Sequence, residues 1–210
     1  MAGADGPEVE PQHLFYGLKA PGLDAQKKSF LYQERDPEKR QQFMRQLEQV
    51  AAGDRVYVDE AGVEDSLSYA YGWSPRGVRC PGERLGHHSQ RISMAGAWCE
   101  GRILAPLTFE GYCNAALNAA LVEAWFEQQL CPVLRVLRAG QVVILDNASF
   151  HVMTRLRVLL EKVGCSLLPL PPYSPDLNEI ESLWNTLKLT IALDTKPYPC
   201  FRDKVDAAFM

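Results

Sequence analysis

The chain has 210 residues, of which 47% are hydrophobic and 23% are charged, and it carries a formal net charge of −4 at pH 7. This length fits one large domain or one domain with an appendage, and no stretch resembles a membrane span or a signal peptide, so we expect a cytoplasmic protein without a membrane partner. The six cysteines include no Cys-x-x-Cys pair, which argues against a zinc site or a disulfide framework.

The first thirty residues show no convincing periodicity and place three prolines among polar residues. We therefore predict a tail, or the stump of another domain, over residues 1–30 and a folded domain over residues 31–210. The first helix of this domain is predicted to start with Asp36 as its N-cap and Pro37 at its first position, and to stop before Gly53.

Four short apolar runs come next, and together they predict strands that form an antiparallel meander. These runs are Val56 to Val58, Leu67 to Trp73, Ile92 to Trp98 and Arg102 to Phe109. The later predicted elements are a helix after Asn114 until Pro132 interferes, a strand at Val142 to Leu145, a helix over 154–163 ended by Gly164, a strand at Ser166 to Leu170 and a helix from about Asn178. The predicted elements are mostly strands in the first part of the chain and alternate between strand and helix in the second part. This order predicts an α/β fold, with helices on the faces of a mixed sheet.

Three acidic residues occupy positions from which they can share metal ions. Asp59 and Asp146 each end an apolar run, and Glu181 lies in the predicted last helix, with thirty-four residues between Asp146 and Glu181. Ligands collect at the carboxyl ends of strands in α/β sheets, and three such carboxylates can converge on two Mg²⁺ ions for in-line displacement at a phosphodiester. The pattern predicts a polynucleotidyl transferase. The alternative for Asp146 is a structural role, in which it begins a turn together with Asn147.

The third acid has two competing interpretations. Asn178 and Glu181 fit a capping-box variant, in which Glu181 would bond back to the start of the helix, and Asp176 is another candidate cap. Glu179 is a second acid within reach of the same site, but it faces a different direction from Glu181 on a helix. Glu60 follows Asp59 directly and should point to the opposite face of its strand.

The residues from 76 to 91 form the best candidate for a DNA-binding segment. This segment contains four arginines and two histidines but only one acid, Glu83. It is therefore locally positive although the chain as a whole has a negative net charge. The proposed DNA-binding residues are Arg76, Arg79, Arg84, His87, His88 and Arg91, together with Asn147 and His151 near the second acid. The alternatives are that the arginines only solvate a hairpin and that His151 packs at the head of a helix.

At these residues the chain resembles the DDE catalytic domain of insertion sequence 630 family transposases, in the mariner superfamily. The resemblance runs from about residue 27 to residue 190 and rests on four motifs. They are Val-Tyr-Val-Asp-Glu at 56–60, Tyr-Gly-Trp-Ser-Pro-Arg-Gly at 71–77, Leu-Asp-Asn-Ala-Ser-Phe-His at 145–151 and Leu-Pro-Pro-Tyr-Ser-Pro-Asp-Leu-Asn-Glu-Ile-Glu at 170–181. One departure is Glu179, where the family usually has Pro.

The resemblance implies a ribonuclease H-like fold and cut-and-paste transposition into TA dinucleotides. It makes Asp59, Asp146 and Glu181 the catalytic and metal-binding triad for two Mg²⁺ ions, with Mn²⁺ able to substitute. The implied partners are the terminal inverted repeats of a transposon and a second copy of the chain, in a bacterial, nucleoid-associated setting. Family members also carry helix-turn-helix domains, so we expect either a truncated copy or a partner supplied by frameshifting from an upstream frame.

Two other functions remain open from the sequence. A catalytically silent fragment would bind DNA or full-length transposase without cutting. A generic ribonuclease H-like nuclease would act on RNA–DNA hybrids, although the Ser-Pro-Asp-Leu-Asn segment at 174–178 points to transposases.

Overall fold

The computed structural model describes residues 32–66, 74–81, 90–111, 115–148 and 151–210. The chain divides into two units, 1–33 and 34–210. The helices of the second unit are α1 (Pro37–Glu48), α2 (Ala115–Trp125), α3 (Cys131–Leu137), α4 (Met153–Glu161), α5 (Ile180–Leu193) and α6 (Phe201–Ala207). Its strands are β1 (Arg55–Glu64), β2 (Arg91–Cys99), β3 (Arg102–Glu110), β4 (Val142–Leu145) and β5 (Ser166–Pro169). None of these helices is both long and apolar enough to cross a bilayer.

The strands form one mixed five-stranded sheet in the order β3-β2-β1-β4-β5. β1, β2 and β3 are antiparallel neighbours, which confirms the meander, and β4 and β5 add to β1 in parallel. The predicted mixed sheet with helices on its faces is therefore confirmed. The strand predicted at Leu67 to Trp73 lies outside the described residues.

Each face of the sheet carries a hydrophobic core, because side chains alternate along β1. Val56 and Val58 point into the first core, which α2, α3 and α4 cover. Tyr57 and Val63 point into the second core, which α1, α5 and α6 cover. Residues 59 and 60, at the middle of β1, are therefore presented to opposite faces.

The first helix begins as predicted but ends earlier than expected. The Asp36 side chain accepts hydrogen bonds from the backbone N–H groups of Glu38 and Lys39, and a proline occupies the first turn. The helix stops at Glu48, ahead of Gly53. A Cβ on Gly53 would meet the ends of the Glu100 and Arg138 side chains, which are exposed and long enough to move aside.

The prediction that Pro132 ends the helix after Asn114 is wrong. A π-helical segment, Phe126–Leu130, follows α2, and α3 continues from it. Pro132 lies in the first turn of α3, where the missing N–H group would have no α-helical partner. The wider π turn lets a helical path pass through the proline. Gly164, by contrast, takes a positive φ of 75° after α4, as expected for a residue that ends a helix.

Candidate active site

Asp59 and Asp146 each follow the last residue pair of the parallel β1–β4 ladder, Asp59 in the middle of β1 and Asp146 directly after β4. Val58 of β1 pairs in register with Leu145 of β4, and each aspartate is the next residue in its strand direction. Val58 belongs to the first core, so strand alternation places Asp59 toward the second core. Asp146 lies beyond the last residue of β4, and its carboxylate contacts His151. Asp146 therefore follows a strand as predicted, whereas Asp59 lies inside β1, which continues to Glu64.

The Asp59 carboxylate is held by two donors. Its Oδ1 accepts a hydrogen bond from the backbone N–H of Glu60 at 2.9 Å, and its Oδ2 accepts one from the indole Nε1–H of Trp184 at 3.2 Å. Burial, together with the negative charges of Glu60, Glu181 and Asp146, raises the pKa of Asp59 to about 7 against the lowering effect of the Glu60 backbone N–H. Asp59 thus lies within electrostatic reach of both other predicted acids.

Glu181 and Glu179 have different surroundings. Glu179 is exposed, and its Oε1 accepts a hydrogen bond from the Tyr57 hydroxyl at 2.9 Å. Burial and this hydrogen bond raise the pKa of Tyr57 to about 12. Glu181 is partly buried in the first turn of α5, and its charge raises the pKa of Asp59. Glu181 is therefore the glutamate whose charge acts on Asp59.

The proposed capping roles near this helix do not appear. Helix α5 starts at Ile180, and no side-chain hydrogen bond caps it. Asn178 contributes its backbone carbonyl, which accepts from the Glu181 N–H at 3.2 Å, rather than its side chain. Asp176 instead forms an ion pair with Arg40. The Glu181 carboxylate is thereby left for another role.

His151 lies between two carboxylates next to the strand ends. Its Nδ1 is 3.1 Å from Asp146 Oδ1 and its Nε2 is 3.1 Å from Glu60 Oε1, and its side chain is fully buried. Burial alone would lower the pKa of His151, but the hydrogen bonds to Asp146 and Glu60 outweigh it and raise the pKa to about 10. The prediction that His151 contacts DNA conflicts with this burial. The alternative, that it packs within the protein, describes its position.

Glu60 points away from Asp59, as predicted. It reaches His151 on the first-core face and lies beside Ala95, Leu107 and Trp125. Glu60, Asp146 and His151 place one potential ligand atom each within 4.8 Å of one another. Both imidazole nitrogens face oxygen acceptors, an arrangement that favours the doubly protonated ring, and a doubly protonated ring has no lone pair for a metal.

Similarity to known proteins identifies the family. A family model described as DDE superfamily endonuclease matches residues 54–203, which is well over half of the chain. The chain belongs to this family. The matched segment begins just before β1 and ends within α6, so it contains all three acids together with Glu60, His151 and Trp184.

Solved structures show the same fold for this DDE superfamily member. The Mos1 strand transfer complex has a TM-score of 0.66 at 17% identity and covers 95% of this chain, and the Mos1 mariner paired end complex with Mn gives the same score with 96% covered. The catalytic domain of Mos1 mariner transposase has a TM-score of 0.53 at 16% identity, with 88% of this chain and 85% of that chain covered. The predicted ribonuclease H-like fold is confirmed.

These relatives are longer than this chain. The chain spans 61% and 64% of the Mos1 chains in the two complexes. The Tc3 transposase of Caenorhabditis elegans is 41% identical over 54 residues, which are 26% of this chain and 16% of that protein.

The predicted DNA-binding residues have mixed outcomes. Arg76, Arg79 and Asn147 are exposed, so they remain candidates. Arg84, His87 and His88 lie outside the described residues. Arg91 lies 3.6 Å from Glu64, and its guanidinium occupies the space over Gly62, so it is engaged within the sheet rather than displayed for DNA.

Sequence reasoning misses two contacts that shape this DDE site. The indole of Trp184 reaches Asp59, and Arg40 of α1 binds Asp176 in the turn before α5 with two hydrogen bonds, of 2.9 and 2.6 Å. The spacing of Trp184 from Glu181, three residues on a helix, places both on one face and is a usable signal. The Arg40 contact spans most of the chain and has no local signal.

Proposed function

We propose that this chain is the catalytic core of a DDE transposase that cleaves DNA at transposon ends and joins the freed strand to target DNA. The observation that carries the proposal is the electrostatic interaction of Asp59 with Asp146 and Glu181. Asp59 and Asp146 stand on adjacent parallel strands at the point where their pairing ends, Glu181 lies in the first turn of α5, and the charges of Asp146 and Glu181 both raise the pKa of Asp59.

The donor set suits a hard divalent cation. All three ligands are carboxylates, which Mg²⁺ and Mn²⁺ prefer over nitrogen and sulfur. Buried acids that also repel one another are unfavourable without a cation, and the raised pKa of Asp59 reflects first its burial and then the neighbouring negative charges. Each Asp59 oxygen accepts one hydrogen bond and keeps lone-pair capacity for a metal. We therefore assign two Mg²⁺ ions, or Mn²⁺, to these three residues.

The fold of the chain positions the three acids. Asp59 and Asp146 stand on paired strands, whose hydrogen bonds fix their separation, and α5 brings Glu181 against them from the second-core side. Two bound ions would supply activation of the attacking oxygen and stabilisation of the leaving oxygen at a phosphodiester. His151, itself bound by Glu60, contacts the Asp146 carboxylate and supports its position.

The substrate proposal follows from the family. The Mos1 structures are described as a strand transfer complex and as paired-end complexes with a transposon end. We propose that this chain acts on the terminal inverted repeats of its own element and on TA target sites. We also propose that it works as a homodimer. Arg76, Arg79 and Asn147 are the described candidates for DNA contact.

Metal-dependent nicking of a supercoiled plasmid carrying the element's ends tests the proposal. We expect cleavage with Mg²⁺ or Mn²⁺ and none with chelator. Asp59→Asn, Asp146→Asn and Glu181→Gln should each abolish cleavage. Glu179→Gln is the matched control, because its amide oxygen can still accept from Tyr57, and it should retain activity.

Two kinds of outcome would overturn the proposal. Cleavage that survives Asp146→Asn would place the chemistry elsewhere. A folded wild type that binds Mn²⁺ yet does not cut would favour the silent fragment, and preference for RNA–DNA hybrids over duplex DNA would favour a generic ribonuclease H-like nuclease.

A further inference from the structure

Helix α5 presents two functional groups to the strand ends rather than one. Glu181 lies in its first turn, and Trp184 follows three residues later on the same side of the helix. The Trp184 side chain is among the largest fully buried ones, with the residue 1% exposed, and it belongs to the second core together with Tyr57. Its single polar atom is aimed at Asp59.

The sheet makes room for this indole at one position. Asp59 pairs directly with Gly96 of β2, and residues directly opposite in an antiparallel pair present side chains to the same face. A Cβ on Gly96 would lie 3.4 Å from the Trp184 ring. The register of β2 with β3 also shifts between Ala95 and Ala97, at this same residue. The ring therefore occupies the place that a side chain beside Asp59 would otherwise fill.

The chemistry of the contact favours orientation of the carboxylate. An indole N–H is only a donor and does not titrate. Trp184 can therefore donate to an oxygen of Asp59 at any pH at which the protein is folded. Trp184 holds Oδ2 and the Glu60 backbone N–H holds Oδ1, so donors act on both oxygens of Asp59. Groups that orient a metal ligand in this way commonly change metal affinity by about 10- to 100-fold when removed.

We propose that Trp184 is a positioning residue, which orients the Asp59 carboxylate for metal binding and couples it to Glu181 through helix α5. The inference rests on the proposed function, because it assigns Asp59 to the metal. In this role Trp184 binds neither metal nor substrate, and it sets the orientation of Asp59, which binds the metal.

The chain offers a matched control on the other face of the sheet. Trp125 is 2% exposed, and its Nε1–H donates to the backbone carbonyl of Ala105 at 2.8 Å. Trp125→Phe removes a buried indole and its hydrogen bond, as Trp184→Phe does, but in the first core. A general cost of losing a buried indole should appear in both variants, and a change in metal binding should appear only in Trp184→Phe.

The experiment measures Mn²⁺ affinity by electron paramagnetic resonance on wild type, both variants and Asp59→Asn. We expect the Kd for Mn²⁺ to rise about 10-fold in Trp184→Phe and to stay within about twofold of wild type in Trp125→Phe. In wild type, the indole N–H signal of Trp184 in ¹H–¹⁵N spectra should move on addition of Mg²⁺, while that of Trp125 should not.

The outcomes separate the inference from the function on which it rests. A wild type that binds Mn²⁺ no better than Asp59→Asn would overturn the proposed metal site itself. Wild-type binding that Trp184→Phe leaves unchanged would overturn only the role of Trp184. If Trp184→Phe does not fold, the wild-type ¹H–¹⁵N spectrum provides the test. Replacing each of the other three tryptophans in turn assigns the Trp184 signal. A Trp184 signal that does not shift at saturating Mg²⁺ overturns the inference.

Discussion

Arg40 and Asp176 form a two-hydrogen-bond ion pair that ties the first helix to the turn preceding the Glu181 helix. The guanidinium nitrogens lie 2.9 and 2.6 Å from the two carboxylate oxygens. Asp176 belongs to the 3₁₀ turn Pro175–Leu177, directly ahead of α5. The pair therefore fixes the entry to α5, and with it the approach of Glu181 to the strand ends.

The coupling between Arg40 and Asp176 should be measurable in a double-mutant cycle. We expect a coupling free energy of about 0.5–1 kcal/mol, reduced by salt, because Asp176 is half exposed. The Arg40 hydrogen bond lowers the pKa of Asp176, so this stabilisation is present at neutral pH and is lost as the pH falls. Urea unfolding of Arg40→Ala, Asp176→Ala and the double variant would test it, and additive effects at low salt would contradict it.

Tyr57 and Glu179 predict a loss of stability at alkaline pH. Because the folded-state pKa of Tyr57 is raised to about 12 from 10, the folded protein keeps the phenol proton that the unfolded chain releases. The contribution is fully present below pH 10 and is lost as the pH rises from 10 to 12. Stability between these values should fall more steeply in wild type than in Tyr57→Phe. Equal slopes in thermal unfolding of the two proteins would contradict the prediction.

The sequence predicts those parts of the site that depend on local pattern. The apolar runs before Asp59 and Asp146 locate two neighbouring parallel strands, although β1 continues past Asp59 to Glu64, and alternation along β1 places Glu60 on the opposite face. Pro132 misleads because a π turn, which has no clear sequence signature, absorbs its missing donor.

Long-range contacts set the rest of the site, and local pattern does not encode them. The partner of His151, Glu60, lies 91 residues away in the chain, so the sequence leaves DNA contact and packing both open for His151, and its burial favours packing. The apolar spacing of the last helix makes Trp184 an ordinary core residue. Its contact with Asp59 depends on the pairing of Asp59 with Gly96, which only the β1–β2 register reveals.

Asp59→Asn should stabilise the protein in the absence of metal. The folded-state pKa of Asp59 is raised to about 7 from 3.8, so the folded protein binds this proton more tightly, and stability falls as the pH rises from about 4 to 7. At pH 8 with chelator we expect the variant to melt several degrees higher, at about 2–4 °C for each kcal/mol in a chain of this size.

Divalent ions should reverse that order. Mg²⁺ should raise the Tm of wild type, because binding to the folded state alone stabilises it, and should leave the Tm of Asp59→Asn nearly unchanged. Glu179→Gln serves as the control and should respond to Mg²⁺ as wild type does. A wild type that already melts above Asp59→Asn in chelator would count against the repulsion between these acids.

His151→Ala should be the most destabilising single change in the site. It removes the imidazolium between Glu60 and Asp146 and leaves the Glu60 carboxylate, largely buried, without its ion-pair partner. Removing one partner of a buried ion pair costs about 3 kcal/mol or more, which urea unfolding at pH 7 would measure. Because the pKa of His151 is raised to about 10 from 6.5, its stabilisation is complete below pH 6.5 and is lost as the pH rises through 10.

Glu60→Gln separates the charge of this cluster from its hydrogen bonds. The glutamine oxygen can still accept from His151 Nε2, so the loss of stability should be smaller than in His151→Ala, and the pKa of His151 should fall toward its ordinary value because the Glu60 charge is one of the causes that raise it. Titration of the His151 ring by NMR would check this shift. A His151 pKa that Glu60→Gln leaves unchanged would show that Asp146 alone holds the proton, and Glu60 would then have no electrostatic part in placing the second strand-end acid.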